Sequence, residues 1–592
     1  MVARDGIEPP TPAFSGPRST TELSGLRANF ALQFPARIPA SPEQVGESRD
    51  SWLQQLVSVY QLAIARASQV CSTLEGIMRR FVCFLACLVF ANFAALHAQA
   101  PAAGARAARA YQAALHEGPP VLRAFLDQFP KGADLHVHLS GAVYAETFIL
   151  DAGEDGLCVD PAALSFAKPP CAPPLVEAAR APSNQKLYDQ LVDAFSMRSF
   201  VPSAGYSGHD QFFATFDRYG GLSKRHMGEW VDEVASRAAA QNQQYLELME
   251  TPEHSHAAVI ALQAAWPLEP TARDFALLRQ KLIDLGLRDE VATAREEVRS
   301  AEAQRRQIEH CATPQAANAC QVEVRYIYQV LRGNAPEQVF AQTLLGFETI
   351  QASMEAHEPG FVGINFVQPE DGFISMRDYT LQMKMLEYLH SVYPKVHISL
   401  HAGELTQGLV PPEGLRFHIR QAVEMGHAER IGHGVDVMYE DDAFGLLREM
   451  AQKHIMVEIN LSSNEAILRV KGAEHPFQLY RAARVPVALS TDDEGVSRID
   501  LTGEYVRAAL DYHLSYEDLK QLARTGMEHS FLPGVSLWTA PDVFTVPVAV
   551  CEGLALGSDK PTAGCKAFLY GSEKAAAQWE LERRFRAFEG KF

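Results

Sequence analysis

Residues 131–142, Lys131-Gly132-Ala133-Asp134-Leu135-His136-Val137-His138-Leu139-Ser140-Gly141-Ala142, carry two histidines two positions apart at the end of a short apolar run. In a strand the side chains at i and i+2 leave the same face, so both imidazoles can reach one metal ion. Three later runs of strand character end in the same manner, on His401-Ala402-Gly403-Glu404, on His433-Gly434 and on Ser490-Thr491-Asp492-Asp493. Side chains so far apart in the chain meet only if their strands form a closed ring. The pattern points to a (β/α)8 TIM barrel with a hydrolytic zinc site at the carboxyl end of its strands.

Eight strand-like runs can be laid along the chain, at 133–139, 245–250, 322–330, 360–367, 395–401, 430–434, 454–460 and 485–491. Most are continuous apolar runs rather than alternations, as parallel strands buried on both faces require. Helical patterns intervene, among them 227–241, 338–356 and 376–393. The connections after the first and second strands are too long for barrel loops and read as helical insertions at about 143–244 and 252–321. In the first, Phe212 and Phe216 stand one helical turn apart and share a face. They serve either core packing or an apolar wall over a substrate. The second is strongly charged around 288–309, which suits a solvated face or an oligomer contact such as that of a homodimer.

The formal net charge of −19 disfavours a nucleic-acid partner, since that affinity rests on neutralising phosphates with Lys and Arg. The apolar stretch 81–95 is short for a membrane span and suits the core of a secretion signal. Met78-Arg79-Arg80 precedes it and Leu96-His97-Ala98-Gln99-Ala100 follows, so 78–100 reads as a signal peptide and the mature protein as exported, periplasmic or extracellular, with no membrane span left. A buried helix, a retained anchor and lipid attachment at Cys87 are the alternatives. Residues 1–77 then form either a non-native extension upstream of a start at Met78 or a disordered extension. Of nine cysteines, six follow the leader: Cys158, Cys171, Cys311, Cys320, Cys551 and Cys565. Local pairing as 158–171, 311–320 and 551–565 is the simplest arrangement in an oxidising compartment, six buried thiols being the alternative. None lies in a Cys-x-x-Cys motif, which argues against cysteine zinc sites and thioredoxin chemistry.

Taken in order, KGADLHVHLSGA (131–142), HAGE (401–404), RIGHGVD (430–436) and STDD (490–493) resemble the adenosine deaminase family of metal-dependent amidohydrolases, over roughly residues 125–535. The leader and the large early insertions resemble its secreted, growth-factor-type branch. The resemblance implies one zinc ion per chain on His136, His138, His401 and Asp492, with a position left for water. It implies that His433 and Asp493 hold the hydroxide and assist its protons, and that Glu404 protonates a purine ring nitrogen. Glu404 must arrive protonated, which a dry pocket would favour. Substrate contacts fall on His138, Ser140, Gln368, Asp493 and the wall of Phe212 and Phe216. The implied reaction is hydrolytic deamination of adenosine or a related purine nucleoside to the 6-oxo product and ammonia. Another aminated purine as substrate, or a secreted binding protein of weak activity, are the alternatives.

Three positions depart from the family pattern. Ser140 stands where Asp or Asn is usual, Gln368 where Gly is usual, and Glu494 where Pro is usual. The first two touch substrate recognition and none touches the metal set. Residue by residue, His433 also suits a satisfied core histidine, and Asp492-Asp493 a helix cap. No His-x-Glu with a downstream Pro-Cys-x-x-Cys occurs, which sets aside the cytidine-type zinc deaminases.

Overall fold

The computed structural model describes residues 103–253 and 255–592. The signal at 78–100, the upstream segment and Cys71, Cys83 and Cys87 lie outside the described residues. Eight parallel strands run in chain order around one sheet: β1 Gly132–His138, β2 Gln243–Glu250, β3 Glu323–Leu331, β4 Phe361–Val367, β5 His397–Ala402, β6 Arg430–His433, β7 Met456–Ile459 and β8 Val487–Leu489. The ring closes between β8 and β1 through a parallel bridge of Val137 with Asp492. There the Asp492 N–H donates to the His136 carbonyl at 2.8 Å and the His138 N–H to the Asp492 carbonyl at 3.2 Å. The fold is a (β/α)8 barrel. Its strands are buried on both faces, from the barrel interior and from the outer helices, so runs such as Phe361–Val367 are buried throughout.

The floor of the barrel is aromatic. Phe129, just before β1, packs on Tyr505, Tyr516, Phe585 and Phe588, which joins the N-terminal helices Ala103–Glu117 and Pro119–Asp127 to the C-terminal helix Glu573–Glu589. Lys131 is fully buried beside it, its ammonium donating to the carbonyls of Leu126 at 2.6 Å, Phe129 at 3.1 Å and Gln241 at 2.7 Å.

The first insertion is not wholly helical. Cys158–Asp160 pairs antiparallel with Ser165–Ala167 on one side and Val176–Glu177 on the other, a small sheet closed by the Cys158–Cys171 disulfide. Its helix Gly208–Arg218 starts at a capping box of Ser207 and Asp210 and lies against the mouth. There the His209 Nε2 pairs with Asp371 Oδ1 at 2.9 Å, tying the helix to the chain after β4. The second insertion consists mainly of the helices Ser255–Ala261, Ala272–Asp284 and Glu290–Ile308. The 311–320 disulfide closes the end of this insertion just before β3, and the 551–565 disulfide clips the C-terminal segment. Among the described residues no helix is long and apolar enough to cross a membrane.

Candidate active site

The strand ends bring the histidines together. His136 Nε2 lies 3.4 Å and His138 Nε2 3.3 Å from Asp492 Oδ1, and His138 Nε2 lies 3.2 Å from His401 Nε2. Tetrahedral corners about a zinc ion with bonds of about 2.0–2.1 Å are separated by about 3.3 Å. Three of the donor pairs among His136, His138, His401 and Asp492 therefore have the spacing a tetrahedral cation would impose. His433 Nε2 is 4.0 Å from Asp492 Oδ2 and joins His136, His401 and Asp492 in a set whose ligand atoms all lie within 4.8 Å of one another. His136 Nε2, His433 Nε2 and Asp492 Oδ1 are buried without a hydrogen-bond partner. Buried polar atoms are rarely left so, and their common focus fits a cation. Glu458 and Asp492 set carboxylates on either side of the His136 ring. Burial would raise Asp492, yet its contacts with His136 and His138 hold it well below the usual carboxylate range. A carboxylate kept ionised among imidazoles suits a cation.

Each imidazole is also held from behind. His136 Nδ1 meets Glu458 Oε2 at 2.6 Å, and the other Glu458 oxygen takes the Arg430 guanidinium at 2.7 Å and the Ser399 hydroxyl at 3.0 Å. His138 Nδ1 bonds to Gln329 Oε1, and His401 Nδ1 to Asn365 Oδ1 at 2.9 Å. Acceptors on Nδ1 put the proton there and turn the Nε2 lone pair inward, as metal-binding histidines require. Asp492 Oδ2 accepts from Ser463 Oγ at 2.7 Å. None of these partners was singled out from sequence. Their signal is a lone polar residue inside an apolar strand: Gln329 in β3, Asn365 in β4, Glu458 in β7.

Glu404 follows β5 after a turn in which Gly403 takes φ +78°, a conformation glycine adopts freely. Glu370 holds that turn by accepting from the Gly403 N–H at 3.0 Å and the Glu404 N–H at 2.8 Å. Burial, reinforced by Asp492 and Glu370, raises Glu404 well above its ordinary pKa and so favours its protonated form. Glu404 Oε1 is unpartnered and 3.6 Å from His433 Nδ1. Asp493 packs against Gly141, where a Cβ would sit 1.5 Å from Asp493 Oδ1.

Beside these groups opens a cavity of about 370 Å³. His138, His401, Glu404, Asp492 and Asp493 line its base, and Phe212, Phe213 and Phe216 form one wall. Ser140 and Gln368 also line it, with Thr251, Gln329 and Asp217, and the lining contains no Lys or Arg. Ser140 keeps its place at the cavity with a neutral hydroxyl. Gln368 takes φ +87°, a backbone conformation natural to glycine, and its carboxamide oxygen is engaged by the Gly333 N–H at 2.8 Å. Glu494 does not line the cavity: it is buried against Arg237 at 2.8 Å and ties the turn after β8 to the helix Met227–Ala240.

The family model for adenosine deaminase matches residues 210–536. An adenosine deaminase of Clostridium perfringens (strain SM101 / Type A) is 30% identical over 187 residues, which is 31% of this chain and 51% of that protein. That of Escherichia coli (strain SMS-3-5 / SECEC) is 38% identical over 137 residues, 23% of this chain and 38% of that protein. The chain thus spans about half, or less, of the curated relatives it matches. The apo N6-methyl-AMP deaminase of Arabidopsis thaliana superposes with a TM-score of 0.45 at 20% identity, covering 69% of this chain and 94% of that one. The family match begins after β1, so His136 and His138 lie outside it and are joined to the remaining site residues by geometry.

Proposed function

The chain belongs to the adenosine deaminase family, and from that premise we propose that it is a zinc-dependent hydrolase that removes the 6-amino group of adenosine or a closely related purine nucleoside. The observation that carries this reading is the meeting of three imidazoles and one carboxylate, with three donor pairs 3.2–3.4 Å apart, beside a buried Glu404 whose pKa burial raises well above the ordinary range. Held by His136, His138, His401 and Asp492, the ion would supply hydroxide near neutral pH by lowering the pKa of a water. The chain's own groups do the rest. The phenylalanine wall takes the purine face and excludes water. Glu404 gives its proton to a ring nitrogen while oxygen bonds to the amine-bearing carbon. Of the two protons of the attacking water, one leaves on the amine as ammonia and the other restores Glu404. His433 and Asp493 orient that water.

The absence of Lys and Arg from the lining, with Asp217 and Asp493 present, favours an uncharged nucleoside over a phosphorylated one. The short neutral Ser140 favours, as a second reading, an aminated purine that lacks a firmly held sugar. Ammonia release by zinc-loaded protein from adenosine, deoxyadenosine, adenine, N6-methyladenosine and AMP tests both. Turnover of adenosine above AMP is expected, and zinc-replete protein silent on all five would leave the binding-protein reading. Export belongs to the same proposal, supported by the apolar stretch 81–95 and by three disulfides. A mature N terminus well upstream of Ala98 would defeat it.

A further inference from the structure

Five side chains, not four, crowd the cation position, and distance alone does not say which imidazole is the outsider. By proximity His433 belongs with His136, His401 and Asp492, whereas His138 groups with Asp492 and Asp493. Hydrogen-bond chemistry separates them. A neutral imidazole has one N–H and one lone pair, and whatever bonds to one nitrogen decides the state of the other.

From outside the site a chain of bonds reaches His433. The Phe477 N–H, which can only donate, points to His475 Nδ1 at 3.1 Å. That nitrogen must therefore be the acceptor, and the His475 proton sits on Nε2. His475 Nε2 meets Asn464 Oδ1 at 3.0 Å, so the donor there is the imidazole and the acceptor the carboxamide oxygen. With its oxygen committed, Asn464 turns its NH2 to His433 Nδ1 at 2.9 Å. A second carboxamide nitrogen, that of Asn460, lies 3.4 Å from the same atom. A nitrogen facing two N–H donors holds a lone pair. All the links are buried, and burial lowers His475 to about 3, which keeps it neutral.

We propose that His475, acting through Asn464, fixes His433 in the tautomer with its proton on Nε2, and so makes it a hydrogen-bond donor to the attacking water rather than a metal ligand. His475 is a positioning residue in this scheme, since it touches neither substrate nor ion. His138 is the opposite case: Gln329 Oε1 takes its Nδ1 proton and frees Nε2 for the ion. Two imidazoles at similar distances are thus sorted into ligand and donor by the amide behind each. A further consequence follows for His433. Already protonated at Nε2, it cannot take the proton that water gives up.

This proposal rests on the hydrolase reading, but its main test needs no turnover. Full-length protein labelled with 15N-histidine and loaded with Zn2+ is examined by two-bond proton–nitrogen correlation, the His433 signals being assigned by their loss in His433→Gln. The expected spectrum has Nε2 protonated and Nδ1 bare; a protonated Nδ1 overturns the proposal. In His475→Phe the Asn464 carboxamide is free to turn. The His433 pattern should become mixed, and kcat on adenosine should fall by about a hundredfold with KM within about threefold. His475→Gln, whose amide can donate to Asn464 Oδ1, should restore both. An unchanged His433 spectrum in His475→Phe would also overturn the proposal. Protein with the expected tautomer but no deaminase activity would refute the function and leave the positioning intact.

Discussion

β1 buries a polar group at each of its ends, and the two ends are treated in opposite ways. At its entry Lys131 is fully enclosed, yet its three N–H bonds find three carbonyls. At its exit His136 is enclosed as completely, and its Nε2 makes no hydrogen bond but faces Asp492 Oδ1 at 3.4 Å, itself without one, as is His433 Nε2 nearby. Burying a polar group without a partner costs about 1–3 kcal/mol each. Where every bond is made, the buried group serves the fold. Where several remain unmade and share one focus, the buried groups suit a ligand rather than the fold. A burial scale alone would rate the two ends alike.

Four substitutions set the ends against each other. Asp492→Asn at the exit should have the largest effect. Zinc content by mass spectrometry should fall well below one ion per chain, and activity by about ten-thousandfold or more; full zinc occupancy would contradict the ligand role. Chelation of the wild-type protein should give the same loss, reversed by Zn2+. Glu404→Gln should keep the ion and lower kcat by about a thousandfold. Because the protonated form is the active one and Glu404 is raised, wild-type activity should fall as pH climbs through that raised value, and the variant should lose this alkaline limb. Gly141→Ala should push Asp493 aside and cost about ten- to a hundredfold in kcat with zinc retained.

At the entry, Lys131→Met should leave kcat unchanged and reduce stability by about 3 kcal/mol, through three stranded carbonyls. Denaturant melts check this, and a kcat that falls with the melting point intact would place Lys131 in the chemistry instead.

The barrel was legible because its strands are apolar runs that little else in a soluble chain explains, and predicted and observed strands overlap at all eight places. Their ends were less so. The run at 454–460 is trimmed to Met456–Ile459 because His454, at φ +56°, caps the preceding helix. The run at 485–491 is trimmed to Val487–Leu489 because the chain turns at Asp492, at φ +62°, to meet β1. The small sheet of the first insertion has strands of two or three residues, too short for any periodicity to register. Histidines and acids at strand ends draw notice because their chemistry is rare. Gln329, Asn365 and Asn464 do not, since a neutral amide in a strand or helix looks ordinary until its partner is known, and His475 does not because it stands in a bend between two helical turns, away from any strand end.

The bonds from Asp492 to β1 have one more implication. The residue whose carboxylate would grip the ion is also the one whose backbone joins the last strand to the first. Opening the barrel at that seam would therefore also draw the Asp492 carboxylate away from His136 and His138, and a cation bound there would be expected to hold the seam shut.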